Sequence, residues 1–236
     1  MCIVGNHDLS LDEKYGIKYA EGWNVVHSSP QAEECRALIR NAKGITYLEH
    51  ESATVEVCGF QMKVFGSPFS PDRGGQNWAF QYAEADAEDV WKGIPEGVNV
   101  VVTHTPPKGH VDDSKHWEEG GCGALEARIR DVKPLVHVCG HCHEGRGAEV
   151  VEWDTEGEGE EDVVVPWQDP GAGSKKQSLL DLTGCREGFE IEPGRRTAVV
   201  NASIMKKSWG RGGKEFNKPI VVDIDVPCRI EMSRSG

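Results

Sequence analysis

The stretch Leu135-Val-His-Val-Cys-Gly-His-Cys-His-Glu144 decides how the chain is read. Leu135 to Cys139 is apolar enough for a short buried strand. Gly140 then stops the run and lets the backbone turn sharply at no steric cost. His141 and His143 follow at alternate positions. Two imidazoles so spaced on a loop can reach neighbouring metal ions, and neutral imidazole is a favoured ligand for zinc, iron, nickel and copper.

Working outward, the same form recurs. Cys2 to Val4 is a short apolar run followed by Gly5-Asn-His-Asp8. Val98 to Val102 leads into Thr103-His-Thr-Pro-Pro107, and Thr197 to Val200 into Asn201-Ala-Ser203. Ligands of α/β sheets gather outside the carboxyl ends of the strands. Strands ending in this way can deliver Asn6, His104, His141 and His143 to one crevice as metal ligands. An oxygen and imidazole set suits manganese, iron or zinc better than a soft thiolate metal.

Gly5-Asn-His-Asp8, Thr103-His-Thr-Pro-Pro107 and Gly140-His-Cys-His143 resemble, in this order, blocks of the calcineurin-like metallophosphoesterases. Glu144-Gly-Arg-Gly147, Asn201-Ala-Ser203 and Gly66-Ser-Pro-Phe-Ser-Pro71 with Trp78-Ala-Phe80 resemble the branch of the brain 239 phosphodiesterases and their fungal relatives. The likeness covers about residues 1 to 151 and 197 to 225. It implies an α/β fold, a β-sandwich flanked by helices, and hydrolysis of a phosphodiester or phosphomonoester by metal-activated water. It also implies two divalent ions, Mn, Fe or Zn. Asn6, His104 and His141 would bind the second ion and His143 the first. His7 would be the proton donor to the leaving oxygen, and Asp8 would orient it. A two-ion site clamps both the attacking and the leaving oxygen, and a histidine tuned by a carboxylate suits a general acid.

The family also places an Asp-x-His and a Gly-Asp-x-x-Asp before the Gly5 block, and this chain starts at Met1. The expectation is therefore an N-terminally truncated domain over residues 1–225, lacking its first strand or strands, with one ion or none. The alternative to an enzyme is a catalytically impaired paralogue or gene fragment that keeps the fold as a binding module.

The chain has 236 residues and a net charge of −13. The length suits one domain with a sizeable core. The charge argues against nucleic acid and anionic membranes as partners; the resemblance implies a small phosphate-ester substrate. No apolar stretch approaches the roughly 20 residues that span a bilayer. Eight cysteines lie scattered, with no dense framework, so a reduced, cytoplasmic setting is expected. Cys139 and Cys142 form a C-x-x-C, which leaves open a structural zinc site.

Among the remaining elements, Ser29-Pro30 opens a helix that stops at Gly44. Ala53 to Cys58 and Gln61 to Phe65 read as strands about a turn at Gly59-Phe60. The Gly66 to Gly75 loop carries Arg73; it is either a substrate wall with Arg73 on a phosphate or an ordinary exposed loop. Gln81 to Trp91 and Gly123 to Val132 have helical patterns. Lys108 to Gly121, polar and carrying His110, His116 and Trp117, reads as a surface loop with solvated histidines or, alternatively, as a cap over the site. Seven acidic residues crowd between Glu152 and Asp162, and residues 152–194 read as a mostly disordered acidic and Gly/Pro insertion in a hairpin. The sheet resumes at Arg195 to Val200 and closes with Pro219 to Ile224, before a polar tail at 226–236.

Overall fold

A computed structural model describes residues 1–15, 29–74, 77–117, 120–154, 162–184, 189–206 and 215–226. Its strands are β1 (Glu51–Val57), β2 (Phe60–Ser67), β3 (Ser70–Asp72), β4 (Gln81–Ala83), β5 (Val100–Thr103), β6 (Val136–Cys139), β7 (Gly147–Glu152), β8 (Val163–Pro166), β9 (Ser178–Asp181), β10 (Arg196–Asn201) and β11 (Ile220–Asp223). Its α-helices are α1 (Ser29–Arg40), α2 (Ala87–Trp91) and α3 (Gly123–Val132).

Seven strands form one mixed sheet in the order β1-β2-β5-β6-β10-β7-β8. β2, β5, β6 and β10 run parallel, and the outer pairs are antiparallel. Successive side chains on a strand point to opposite faces, and β10 shows the result. Val199 joins a cluster with Trp91, Leu125, Ile129 and Trp153, which seats α2 and α3 on one face. Ala198 and Val200 join Leu180 and Leu182, which seats the parallel β9/β11 pair on the other. The result is a mixed α/β fold with helices on one side and a second small sheet on the other, consistent with the calcineurin-like sandwich.

Tertiary pairing revises several local expectations. The β1/β2 turn falls at Cys58-Gly59, one residue early, with both residues at positive φ (51° and 78°). Gln81–Ala83 pairs with β3, so the helix expected from Gln81 is only α2 after one turn of 3-10 helix. α1 ends at Arg40, ahead of Gly44. Cys2 makes an isolated bridge to Tyr47, not a strand.

The largest correction concerns residues 152–194. Where a mostly disordered insertion is expected, the described residues carry β8 and β9, and Trp167, Leu180 and Leu182 are buried. Each such side chain contributes about 1.5–3 kcal/mol. That is of the order needed to fix a four-residue strand at about 1–2 kcal/mol per residue. Most of the acidic run, 155–161, lies outside the described residues, as does the tail from 227.

Candidate functional site

The carboxyl ends of β2, β5, β6 and β10 lie side by side, and the residues after β5 and β6 meet there. His104 follows β5. Its N–H donates to Ser67 O (3.0 Å), and its carbonyl accepts from Gly140 N (3.1 Å). The backbone is thereby fixed from both neighbouring strands. Thr103 Oγ1 tightens the same turn by donating to Thr105 O (2.6 Å). The proton being spent there, the 2.8 Å contact from His137 Nε2 to the same hydroxyl requires His137 to donate.

Gly5 to Asp8 approaches from the other side. Asp8 N donates to Gly5 O (3.0 Å), Asp8 Oδ2 accepts from Gly5 N (2.7 Å), and Asn6 O accepts from Ala79 N (3.0 Å). Gly5 is required: a Cβ there would lie 2.6 Å from His104 Cε1. This close approach buries Asn6 and brings its Oδ1 to 2.8 Å from His104 Nε2.

His141 adopts φ +63° at the turn after β6 and places Nδ1 3.0 Å from the same His104 Nε2. One ring nitrogen offers either one proton or one lone pair, yet this one has two close partners. A single cation satisfies all three donors together. Ligand atoms at about 2.1 Å from one ion, at right angles, lie about 3.0 Å apart, close to the spacings here. The residues therefore fit one divalent ion. Burial, together with its histidine neighbours, holds His104 well below the usual imidazole pKa. Burial, then His143, Arg73 and His7, lower His141 to about 4. Both rings are neutral, the form that binds metal.

His143 is the remaining expected ligand. Its Nδ1 is buried with no hydrogen-bond partner, and it lies near enough to His7 and His141 to lower the pKa of both. Among the described residues no three or more His, Cys, Asp or Glu side chains cluster to hold an ion; the convergence here includes an asparagine amide. Cys139 and Cys142 are buried free thiols whose pKa burial raises, a poor setting for the thiolates that a structural zinc site needs.

His7 stands at the mouth with its ring 4.2 Å from that of Trp78. Partial burial and His143 lower its pKa, and the Asp8 charge opposes them. Asp8 reaches His7 through charge, its Oδ2 being spent on Gly5 N. A cleft of about 440 Å³ opens beside this group, lined by Gly5 to Asp8, His104, Gly140 and an apolar wall including Val102, Val138 and Ile204.

Arg73 rims a smaller recess with Asn6, Trp78, Trp117 and His141. Its guanidinium donates to Gly121 O (2.8 Å) and lies over the Trp117 ring at 5.5 Å. Trp117 in turn stacks on His141, 5.3 Å between centroids and 16° between planes. Trp117 therefore covers the site, and the described part of the Lys108 to Gly121 segment caps it instead of standing off as a surface loop. Local sequence pattern leaves this cap open as an alternative but does not show the partners of Trp117. Asn201 is another contributor whose role local pattern does not show. Fully buried at the end of β10, it donates to Cys142 O, between the two histidines of the turn.

No family profile matches the chain. Curated proteins do. A protein named probable rhamnogalacturonate lyase C from Emericella nidulans is 39% identical over 99% of this chain and 20% of its own length. Metallophosphoesterase domain-containing protein 1 of Homo sapiens is 35% identical over 61% of this chain and 44% of its own. The UPF0046 protein T07D4.2 of Caenorhabditis elegans is 32% identical over 61% and 38%. The chain thus spans less than half the length of each of these relatives. No described helix is long and apolar enough to cross a membrane. Its fold, the order of its histidine-bearing blocks and its relatives support a metallophosphoesterase-like family for the chain.

Proposed function

We propose that the chain hydrolyses a small phosphate ester, either a phosphodiester or a phosphomonoester, in a reduced, cytoplasmic setting. The observation that carries this reading is the meeting of Asn6 Oδ1 and His141 Nδ1 at His104 Nε2, within 2.8 and 3.0 Å. A divalent ion there (manganese, iron or zinc) would polarise a phosphoryl oxygen and acidify a water. The chain's own residues do the rest. Gly5 allows Asn6 to reach His104. His7, at the mouth, is the proton donor to the leaving oxygen; burial and His143 lower its pKa, and the Asp8 charge partly offsets them. Arg73 supplies a guanidinium for the phosphate after exchanging its bond to Gly121 O. Trp117 and Trp78 restrict water around His141 and His7. The cytoplasmic setting is supported by the free thiols of Cys2, Cys35, Cys122, Cys139 and Cys142.

The test is turnover of bis(p-nitrophenyl) phosphate and p-nitrophenyl phosphate by the purified chain with manganese. We expect manganese-dependent hydrolysis that falls by at least about 100-fold in His104→Ala, since displacing one reacting group costs that much. Wild-type rates in His104→Ala would remove the site from the chemistry. A second reading, a binding module that keeps the fold, is favoured by converging donors sufficient for one ion and not two. It predicts manganese uptake, lost in His104→Ala, with no turnover of either ester.

A further inference from the structure

β10 is inserted between β6 and β7. Its last residue, Asn201, pairs with Cys139 on one side and Gly147 on the other. Those residues are the two feet of the turn that carries His141 and His143. The Asn201 side chain is fully buried and fully used. Nδ2 donates to Cys142 O and to Val111 O, each at 2.8 Å, and Oδ1 accepts from Ser203 N at 3.0 Å. Cys142 O also accepts from Gly145 N (3.2 Å) and Ser203 Oγ (3.3 Å).

We propose that Asn201 is a positioning residue. Through the Cys142 carbonyl it sets the aim of His141 on one side and His143 on the other. Through Val111 O it locks that turn to the segment bearing Trp117. The amide is the chemistry required: two donors for two carbonyls and one acceptor for a backbone N–H. A carboxylate would set oxygen against oxygen, and an apolar isostere would leave both carbonyls buried and unserved. The consequence for ion binding rests on the function proposed above; the geometric claim does not. Groups that orient a ligating histidine typically change metal affinity by about 10–100-fold when removed.

The experiment uses the full 236-residue chain labelled with ¹⁵N-histidine. We expect Asn201→Ala to move the ring signals of His141 and His143 while those of His50, on the far side of β2, stay in place. Cobalt(II) affinity, read from its visible spectrum, should fall about 10–100-fold in the same variant. Unmoved His141 and His143 signals, or movement shared equally by His50, would overturn the proposal. Should Asn201→Ala fail to fold, Ser203→Ala carries the test. It removes only the 3.3 Å contact to the same carbonyl and should move the same two ring signals by less; no movement overturns the proposal. If the wild-type chain takes up no cobalt, the proposed function fails, and the ring signals still decide the positioning role.

Discussion

Two turns bring the candidate ligands together, and they are held in different ways. The turn from Gly140 to Arg146 grows from the middle of the sheet and is fastened to buried groups. Asn201 and Ser203 bind it from below, and Gly145 lies against the Val111 backbone with no room for a Cβ. The turn from Gly5 to Asp8 hangs at the side. It follows a single bridge between Cys2 and Tyr47, and it is closed by its own Asp8, which is exposed. A fixed half thus faces a half that depends on contact with it. Affinity at such a site is set by how much ordering the weaker half still has to undergo.

That contrast can be broken most forcefully at Gly145. An added Cβ would lie 2.2 Å from Val111 O and 2.8 Å from Val111 C, backbone that cannot step aside. Gly145→Ala should cost about 3 kcal/mol, roughly 6–12 °C in Tm, as thermal melting would record. An unchanged Tm would mean that the turn is as loose as its opposite number. Gly5→Ala meets the tip of the His104 ring instead, which can swing away. Its Tm should stay within about 2 °C, and its manganese affinity should fall about 10–100-fold by calorimetry. A large drop in Tm would show that the Gly5 turn is built into the core after all. The smallest effect is expected at Asp8. Asp8→Ala removes the acceptor for Gly5 N (2.7 Å). It should speed amide exchange at Gly5 by roughly tenfold with little change in Tm. Unchanged exchange would mean that packing alone closes the turn.

The same division governs what could be read from the sequence. β5, β6 and β10 are continuous apolar runs that end in polar residues, so both the strands and the side chains they deliver were legible. α3 was legible from its period, with Leu125 and Ile129 inward. The Cys58-Gly59 turn was displaced by one residue because cysteine carries no turn signal, although it takes φ 51° here. Gln81 to Ala83 looked helical because its partner, β3, lies outside the local window. β8 and β9 were hidden by the acidic, glycine-rich segments around them, and only the depth of the pocket that receives Trp167 and Leu180 shows why they order. At the site, His104, His141 and Asn6 were legible by residue type and position. Asn201 was legible as a polar strand end and Trp117 as part of a segment able to cap the site, but the partners of both were not, because those contacts cross large sequence separations.

The insertion of β10 also bears on how the molecule comes into being. β6 and β7 are consecutive in the chain but are not neighbours in the sheet; a strand starting at Arg196 must slide between them. During synthesis, the His141–His143 turn therefore emerges long before the residue that braces it. Contacts of such high sequence separation form slowly. A nascent or truncated chain ending before Asn201 would expose the edges of β6 and β7 and hold its histidines unaimed. The two histidines are thus aimed only once β10 has been made and has entered the sheet.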